Sequence, residues 1–235
     1  MIAVATTSHN QSLSDRVLAA LSTVTDPELD EPITDLGFVR SVRIQDGGVT
    51  VHLRLPTSFC SPNFAYLMAS DAVDALRRVD GLREVVVQLD DHHDSDKINA
   101  GLAADAGYVG TFGSEAEDSL DDLRRIFRDK AHTAAMERCA TKLLQDTDLT
   151  VEDLHQVTIA DLPEGPHKQA LLRRRVAVGL GVGPGDPVVV DEHGEPLAAD
   201  DVPLRLRFAK SVRISMEGNA HFCRGLLATR YGSTA

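Results

Sequence analysis

The first third of the chain switches twice between helical and strand periodicity. Apolar side chains recur at helical spacing over residues 13–24 and again over 64–79, which predicts two helices. Between them, 38–44 and 49–56 alternate apolar and polar residues around an Asp-Gly turn, the pattern of a β-hairpin. The valine-rich run 83–89 predicts a third strand. Together, helix, strand, strand, helix and strand predict an α+β fold, a two-layer α-β-β-α-β sandwich.

The remainder of the chain predicts a second α+β domain. Residues 98–113 are rich in alanine and glycine, and we interpret them as a linker between domains at 1–97 and 114–235. The second domain begins with helical periodicity and then returns to alternation. This alternation predicts strands at 187–190, 204–208 and 212–216.

Length, charge and cysteine content narrow the class of protein. A chain of 235 residues favours two domains, and its net charge of -12 argues against nucleic acid or an anionic membrane as a partner. The sequence contains no apolar run long enough for a membrane span, and its N-terminus lacks the pattern of a signal peptide, so we expect a cytoplasmic protein. The cysteines, Cys60, Cys139 and Cys223, are odd in number and far apart, which indicates reduced thiols.

Cys60 occupies an unusual position, directly between the end of a predicted strand and the start of a predicted helix. A thiol there lies near unpaired backbone N–H groups and the positive end of the helix dipole, which stabilise the thiolate. Thiolate is the form that binds metal or attacks a substrate. The alternative is a buried and inert cysteine, since free cysteines are commonly buried.

Short motifs surround this position: Asp26-Pro27-Glu28 after the first helix, Asp35-Leu36-Gly37 before the first strand, and Thr57-x-x-Cys60 after the second. In this order the motifs resemble the iron-sulfur cluster assembly domain family, which includes PaaD-like and SufT-like proteins. The resemblance covers about residues 13–98. It implies a role in the maturation of iron proteins, with Cys60 and Thr57 as contacts for iron or a cluster and Asp26 and Glu28 close by.

The segment after the third strand is also rich in potential ligands. Asp90, Asp91, His92, His93, Asp94 and Asp96 follow one another closely. Adjacent histidines rarely face the same point, so a polar, solvated loop is the favoured interpretation. The alternative is a metal site that draws on Cys60, Glu28, His92 and His93.

Ligand number separates the functional hypotheses. A stably held cluster needs about four protein ligands, typically closely spaced cysteines, and this chain has no C-x-x-C. We therefore expect a transient cluster or iron, shared with a partner or across a homodimer. The resemblance implies a non-enzymatic maturation factor that works with other iron-sulfur assembly proteins and a client metalloprotein, such as a multicomponent oxygenase. From the two-domain architecture, we expect the added domain to supply client choice.

Two other hypotheses remain open at this point. The first is a thiol enzyme with Cys60 as nucleophile and a histidine base, for which His52 is nearest in sequence but shows no orienting partner. The second is a metal-independent interaction adaptor or folding helper in which Cys60 is structural.

Overall fold

The computed structural model describes residues 12–116 and 120–232. These residues fall into two compact units. The first unit contains residues 12–26, 31–116 and 223–232, and the second contains 27–30 and 120–222. Both ends of the described chain therefore belong to the first unit.

The first unit contains a three-stranded sheet and four complete helices. Its elements are α1 (Leu13–Leu21), β1 (Thr25–Asp26), β2 (Glu31–Pro32), β3 (Val39–Gln45), β4 (Gly48–Arg54), α2 (Pro62–Arg77), β5 (Glu84–Asp90), α3 (Ser95–Ala103) and α4 (Gly107–Phe112). The sheet order is β3-β4-β5, with β3 antiparallel and β5 parallel to β4. This arrangement confirms the predicted α-β-β-α-β order.

Local sequence explains these elements. The Ser12 and Asp15 side chains form a capping box that starts α1, and Pro62 occupies the first turn of α2. Asp46 and Gly47 adopt positive φ angles of 51° and 79°, which a tight hairpin turn requires. The alternating residues of β4 bury Val49, Val51 and Leu53, and α2 packs on β5 and α1 to cover this core.

Residues 98–113, which we predicted as a linker, are helical and belong to the first unit. α3 packs against β5 and buries Ile98 completely. The Asn99 side chain accepts a hydrogen bond from the Leu89 N–H (2.8 Å) and donates one to the Leu89 carbonyl (3.1 Å). At Gly101 an added Cβ would lie 2.0 Å from Thr111 Oγ1. The alanine and glycine residues of this segment therefore allow its helices to pack closely. The same composition is also typical of a flexible linker, which is why the sequence alone predicts one here.

The second unit is built from helices. They are α5 (Asp121–Asp146), α6 (Pro166–Ala177) and the first 21 residues of α7 (Val202–Tyr231), with 3-10 turns at Glu152–Gln156, Ile159–Asp161 and Ala199–Asp201. Val188, Val189 and Val190 are buried in its core, where isolated bridges pair Thr158 with Pro187 and Val190 with Pro196. Arg213 of α7 forms an ion pair with Glu137 of α5, which is 3% exposed.

The strands predicted for the tail are wrong. Residues 204–208 and 212–216 lie in α7, and 187–190 contribute only bridges, so the described part of 114–235 is helical apart from loops and turns. The alternation misled because several large apolar residues of α7, such as Leu204, Phe208 and Ile214, are exposed, and its covered positions follow the helical repeat instead. The covered positions are Val202, Leu206, Ala209, Arg213, Met216 and Ala220, with successive spacings of four and three residues. The chain as a whole remains α+β.

Candidate cysteine site

Cys60 lies in the loop between β4 and α2, directly before the N-cap residue Ser61. Its side chain is half-buried, and each of the three cysteines carries a thiol. The Thr57 hydroxyl oxygen lies 3.4 Å from the Cys60 sulfur and accepts a hydrogen bond from the Phe59 N–H at 3.2 Å. The hydroxyl proton is therefore available to the Cys60 sulfur. The structure places the Thr57 and Cys60 side chains in contact.

His92 supports the loop from the end of β5. Its Nε2 lies 2.8 Å from the Cys60 carbonyl oxygen, and its Nδ1 accepts the Asp94 N–H at 3.1 Å. Because Nδ1 is the acceptor, Nε2 carries the ring proton and donates it to the carbonyl. His92 is 6% exposed, so this part of the segment is buried. Metal binding through His92 would require one of these hydrogen bonds to break.

Phe59, in the loop before α2, and His93, in the segment after β5, are both exposed. The His93 N–H donates to the Ser58 carbonyl at 2.9 Å, and its ring centroid lies 5.6 Å from that of Phe59. Phe59 is 79% exposed. An exposed aromatic ring next to a thiol is the kind of group that anchors a protein partner.

Arg230, near the end of α7, connects the two loops that frame the cysteine. Its guanidinium donates to the Leu55 carbonyl at 3.1 Å, to the Ser58 hydroxyl at 2.7 Å and to the Asp91 carbonyl. We call these contacts the Arg230 clasp. The sequence analysis missed Arg230, because 172 residues separate it from Ser58 and no local pattern marks such a pairing.

Tyr231 completes this side of the site. Its hydroxyl donates to Asp91 Oδ2 at 3.3 Å, and its ring lies 5.0 Å from the Arg54 guanidinium carbon. Burial, with a contribution from the Asp91 carboxylate, raises the pKa of Tyr231, so the phenol remains a donor. Nearby, an added Cβ at Gly37, whose φ is 74°, would lie 3.2 Å from Leu227 of α7.

The predicted carboxylates occupy different environments. Asp26 is 7% exposed in β1, opposite Glu31 of β2. Glu28 belongs to the second unit, where its Oε1 accepts a hydrogen bond from Asn219 at 3.2 Å. Within 12–116 and 120–232, no three His, Cys, Asp or Glu side chains are grouped so that they could hold a metal ion.

An acid-histidine pair lies on the polar side of the sheet. His52 Nδ1 and Asp90 Oδ1 are 2.9 Å apart, and Asp90 also binds Arg40 at 3.0 Å. His52 therefore has the orienting partner that its sequence context did not reveal. These residues line an open basin of about 540 Å³ together with Ser41 and α3 residues. Cys60 is not among the residues that line this basin.

The first unit thus defines a small α+β domain that presents one thiol between a strand and the following helix. Residues 14–89 match the sequence profile of a family described as "Iron-sulfur cluster assembly protein". The chain is also 34% identical over 84 residues to the uncharacterized protein MJ1129 of Methanocaldococcus jannaschii, an alignment that covers 35% of this chain and 86% of that protein. Through its N-terminal region, the chain belongs to the iron-sulfur cluster assembly family.

Membership supports a role in cluster assembly or maturation, with an iron-sulfur cluster and other proteins involved. Across the described residues, no helix is both long and apolar enough to cross a membrane.

Proposed function

We propose that this protein is a non-enzymatic maturation factor that carries iron or an iron-sulfur cluster transiently on Cys60 and delivers it to a client metalloprotein. A component of a multicomponent oxygenase is the kind of client we favour. The observation that carries the proposal is the half-buried Cys60 thiol, set in its loop within the region that matches the family.

The surroundings of the thiol suit transfer better than storage. Iron-sulfur clusters take thiolate ligands, usually four, and among the described residues no three His, Cys, Asp or Glu side chains are grouped to hold a metal ion. The remaining ligands then come from a partner protein or from a second copy of the chain. A cluster shared in this way leaves readily when a client offers a complete set of cysteines.

The backbone around the thiol is held firmly. His92 binds the Cys60 carbonyl, and the Arg230 clasp binds Leu55 and Ser58. A fixed loop presents the sulfur in one geometry, which lowers the conformational cost of forming a shared ligand set. We assign client choice to residues 120–222 of the second unit, which the family match does not cover.

Anaerobic reconstitution with iron and sulfide tests this function. We expect wild-type protein to develop a visible cluster absorption and to transfer it to a cysteine-rich apo-acceptor. Cys60→Ser should lose both properties. Cys223→Ser is the matched control, because Cys223 is also a half-buried thiol of the first unit, and it should behave as wild type.

Two outcomes would contradict the proposal. Equal chromophore and transfer in wild type and Cys60→Ser would leave Cys60 with a structural role, as in an interaction adaptor. Turnover of a thiol-reactive substrate that disappears in both Cys60→Ser and His52→Gln would instead favour an enzyme.

A further inference from the structure

The second unit contains a cavity that the proposed function does not use. Its volume is about 280 Å³, and its walls come from α5, α7 and the chain between 178 and 194. A water molecule occupies about 30 Å³ in the liquid, so the cavity has room for a small organic molecule. It is smaller than the pockets that hold drug-sized ligands.

A buried polar group lines this cavity without a partner. His132 of α5 is 5% exposed, and its Nε2 has no hydrogen-bond partner among the described residues. Burial, followed by the charges of Arg175 and Arg205, lowers the pKa of His132 to about 4. The imidazole is therefore neutral near pH 7. Leaving such a nitrogen unsatisfied is destabilising, and a bound group that pairs with it would recover this loss.

Charged side chains of both signs line the cavity, among them the partly buried Arg205 guanidinium and Asp191 carboxylate. Arg205 donates through Nε to the Val190 carbonyl at 2.8 Å and through Nη2 to the Asp191 carbonyl at 3.3 Å. A guanidinium carries five N–H donors, so these bonds leave donors for a ligand. One oxygen of the nearby Asp191 carboxylate already accepts the backbone N–H groups of His193 and Glu195.

Exposed charged residues at the rim and apolar side chains in the walls complete the lining of the cavity. The exposed residues at the rim are Asp129, Lys130, Glu192 and His193. The apolar lining residues are Val178, Leu180, Phe208 and Val212. A ligand that fits has an anionic end directed toward the histidine and arginine and a hydrocarbon body against these side chains.

We propose that this cavity binds a small aliphatic carboxylate, which accepts hydrogen bonds from the Arg205 guanidinium and from Nε2–H of His132 in the neutral tautomer protonated at that nitrogen, while its hydrocarbon chain packs against Leu180 and Phe208. A simple aliphatic acid and an aliphatic amino acid share this chemistry. They differ in whether an ammonium group also meets the carboxylates of Asp129 and Glu192. A metal ion is not the occupant, because the lining residues do not form a group of three ligands.

Titration of the full-length protein with isocaproate and three analogues tests the site, with imidazole nitrogen NMR as the readout. L-leucine adds an ammonium group, isocaproamide removes the negative charge, and isopentylamine replaces it with a positive one. We expect isocaproate or leucine to bind about tenfold more tightly than the amide and the amine, and to shift the His132 Nε2 resonance. Tighter binding of leucine than of isocaproate identifies the amino acid as the source.

Variants locate the binding group. His132→Phe should weaken binding of the carboxylate by about tenfold, whereas His167→Phe, at an exposed histidine of α6, should leave it unchanged. The wild-type NMR titration keeps the proposal testable even if His132→Phe fails to fold. Equal affinity for acid and amide, a preference for the amine, or no shift of Nε2 with any probe would overturn it, and the last result would assign the cavity to water.

Discussion

At the scale of single residues, the Arg230 guanidinium divides its donors among three acceptors on two loops. Leu55 and Ser58 precede Cys60 in the loop after β4, and Asp91 follows β5. His92 holds the same loop from the other side through the Cys60 carbonyl. The geometry of the thiol therefore depends on residues that perform no chemistry themselves.

Replacing Arg230 with methionine should loosen the cysteine loop. The change removes hydrogen bonds from a charged donor, and we expect the free energy of unfolding to fall by about 2 kcal/mol. Alkylation of Cys60 by iodoacetamide should become several-fold faster, which mass spectrometry of the modified peptide measures.

Arg224→Met is the control for this prediction. Arg224 lies in the same C-terminal part of α7 and pairs with Glu31, which is not one of the clasp residues. Its loss should leave the alkylation rate of Cys60 close to that of wild type. If both variants accelerated alkylation equally, the clasp would not be what positions the thiol.

Phe59 should matter for transfer rather than for loading. Its ring is 79% exposed, so Phe59→Ser should change stability by less than about 0.5 kcal/mol. We expect reconstitution to proceed normally while transfer to the acceptor slows, because the aromatic anchor for the partner is gone. A wild-type transfer rate in this variant would show that partners do not contact the ring.

At the scale of elements, local patterns predicted the family domain well and the rest poorly. α1, the β3–β4 hairpin, α2 and β5 each follow from periodicity, capping and turn residues within a short window. The burial of α7 depends instead on packing against distant residues. Ala209 and Ala220 are buried there, while Leu204 and Phe208 are exposed, so hydrophobicity along the chain misstates which face is covered.

The candidate site also combines residues that local sequence patterns predict with residues that they do not. Thr57 and Cys60 are three residues apart and belong to a motif, which made them predictable. The buried role of His92 and the pairing of His52 with Asp90 depend on neighbouring strand ends, and Arg230 comes from the opposite end of the chain. Patterns within a short stretch of sequence contain no signal for contacts between residues so far apart in the chain.

Alanine substitutions at two helical glycines should change the free energy of unfolding in opposite directions, which tests how closely the helices pack. Gly101→Ala should lower the free energy of unfolding by about 1–3 kcal/mol, because its Cβ would overlap the Thr111 side chain. Gly218→Ala in α7 meets no atom within 4 Å and should raise stability by up to about 1 kcal/mol. Urea denaturation of both variants measures the difference. A stabilised Gly101→Ala would mean that α3 and α4 do not pack closely.

At the scale of the whole molecule, acidity should weaken the second unit before most carboxylates titrate. The pKa of His132 is about 4 when folded, below the value of about 6.5 for an unfolded histidine. The unfolded state therefore takes up this proton first as the pH falls. The contribution of His132 to stability is complete above about pH 6.5 and decreases toward pH 4, by roughly 3 kcal/mol in total.

Comparison of stability curves isolates this effect. We expect the unfolding free energy of wild type to fall more steeply between pH 6.5 and 4 than that of His132→Phe, with His167→Phe following wild type. Hydrogen bonds from Thr150 and Thr158 lower the pKa values of Asp153 and Asp161. The contributions of these two carboxylates to stability are therefore lost only at more acidic pH. Parallel curves for wild type and His132→Phe would contradict the assignment.

The Arg230 clasp can form only late in the synthesis of the chain, after the cysteine loop itself has been made. The ribosome makes Leu55 and Ser58 early, and Arg230 follows Ser58 by 172 residues. At about 5–20 residues per second, the cysteine loop waits roughly ten to thirty seconds before its arginine exists. A nascent chain can fold its sheet in that interval, but it acquires the finished loop only after the entire second unit has been translated.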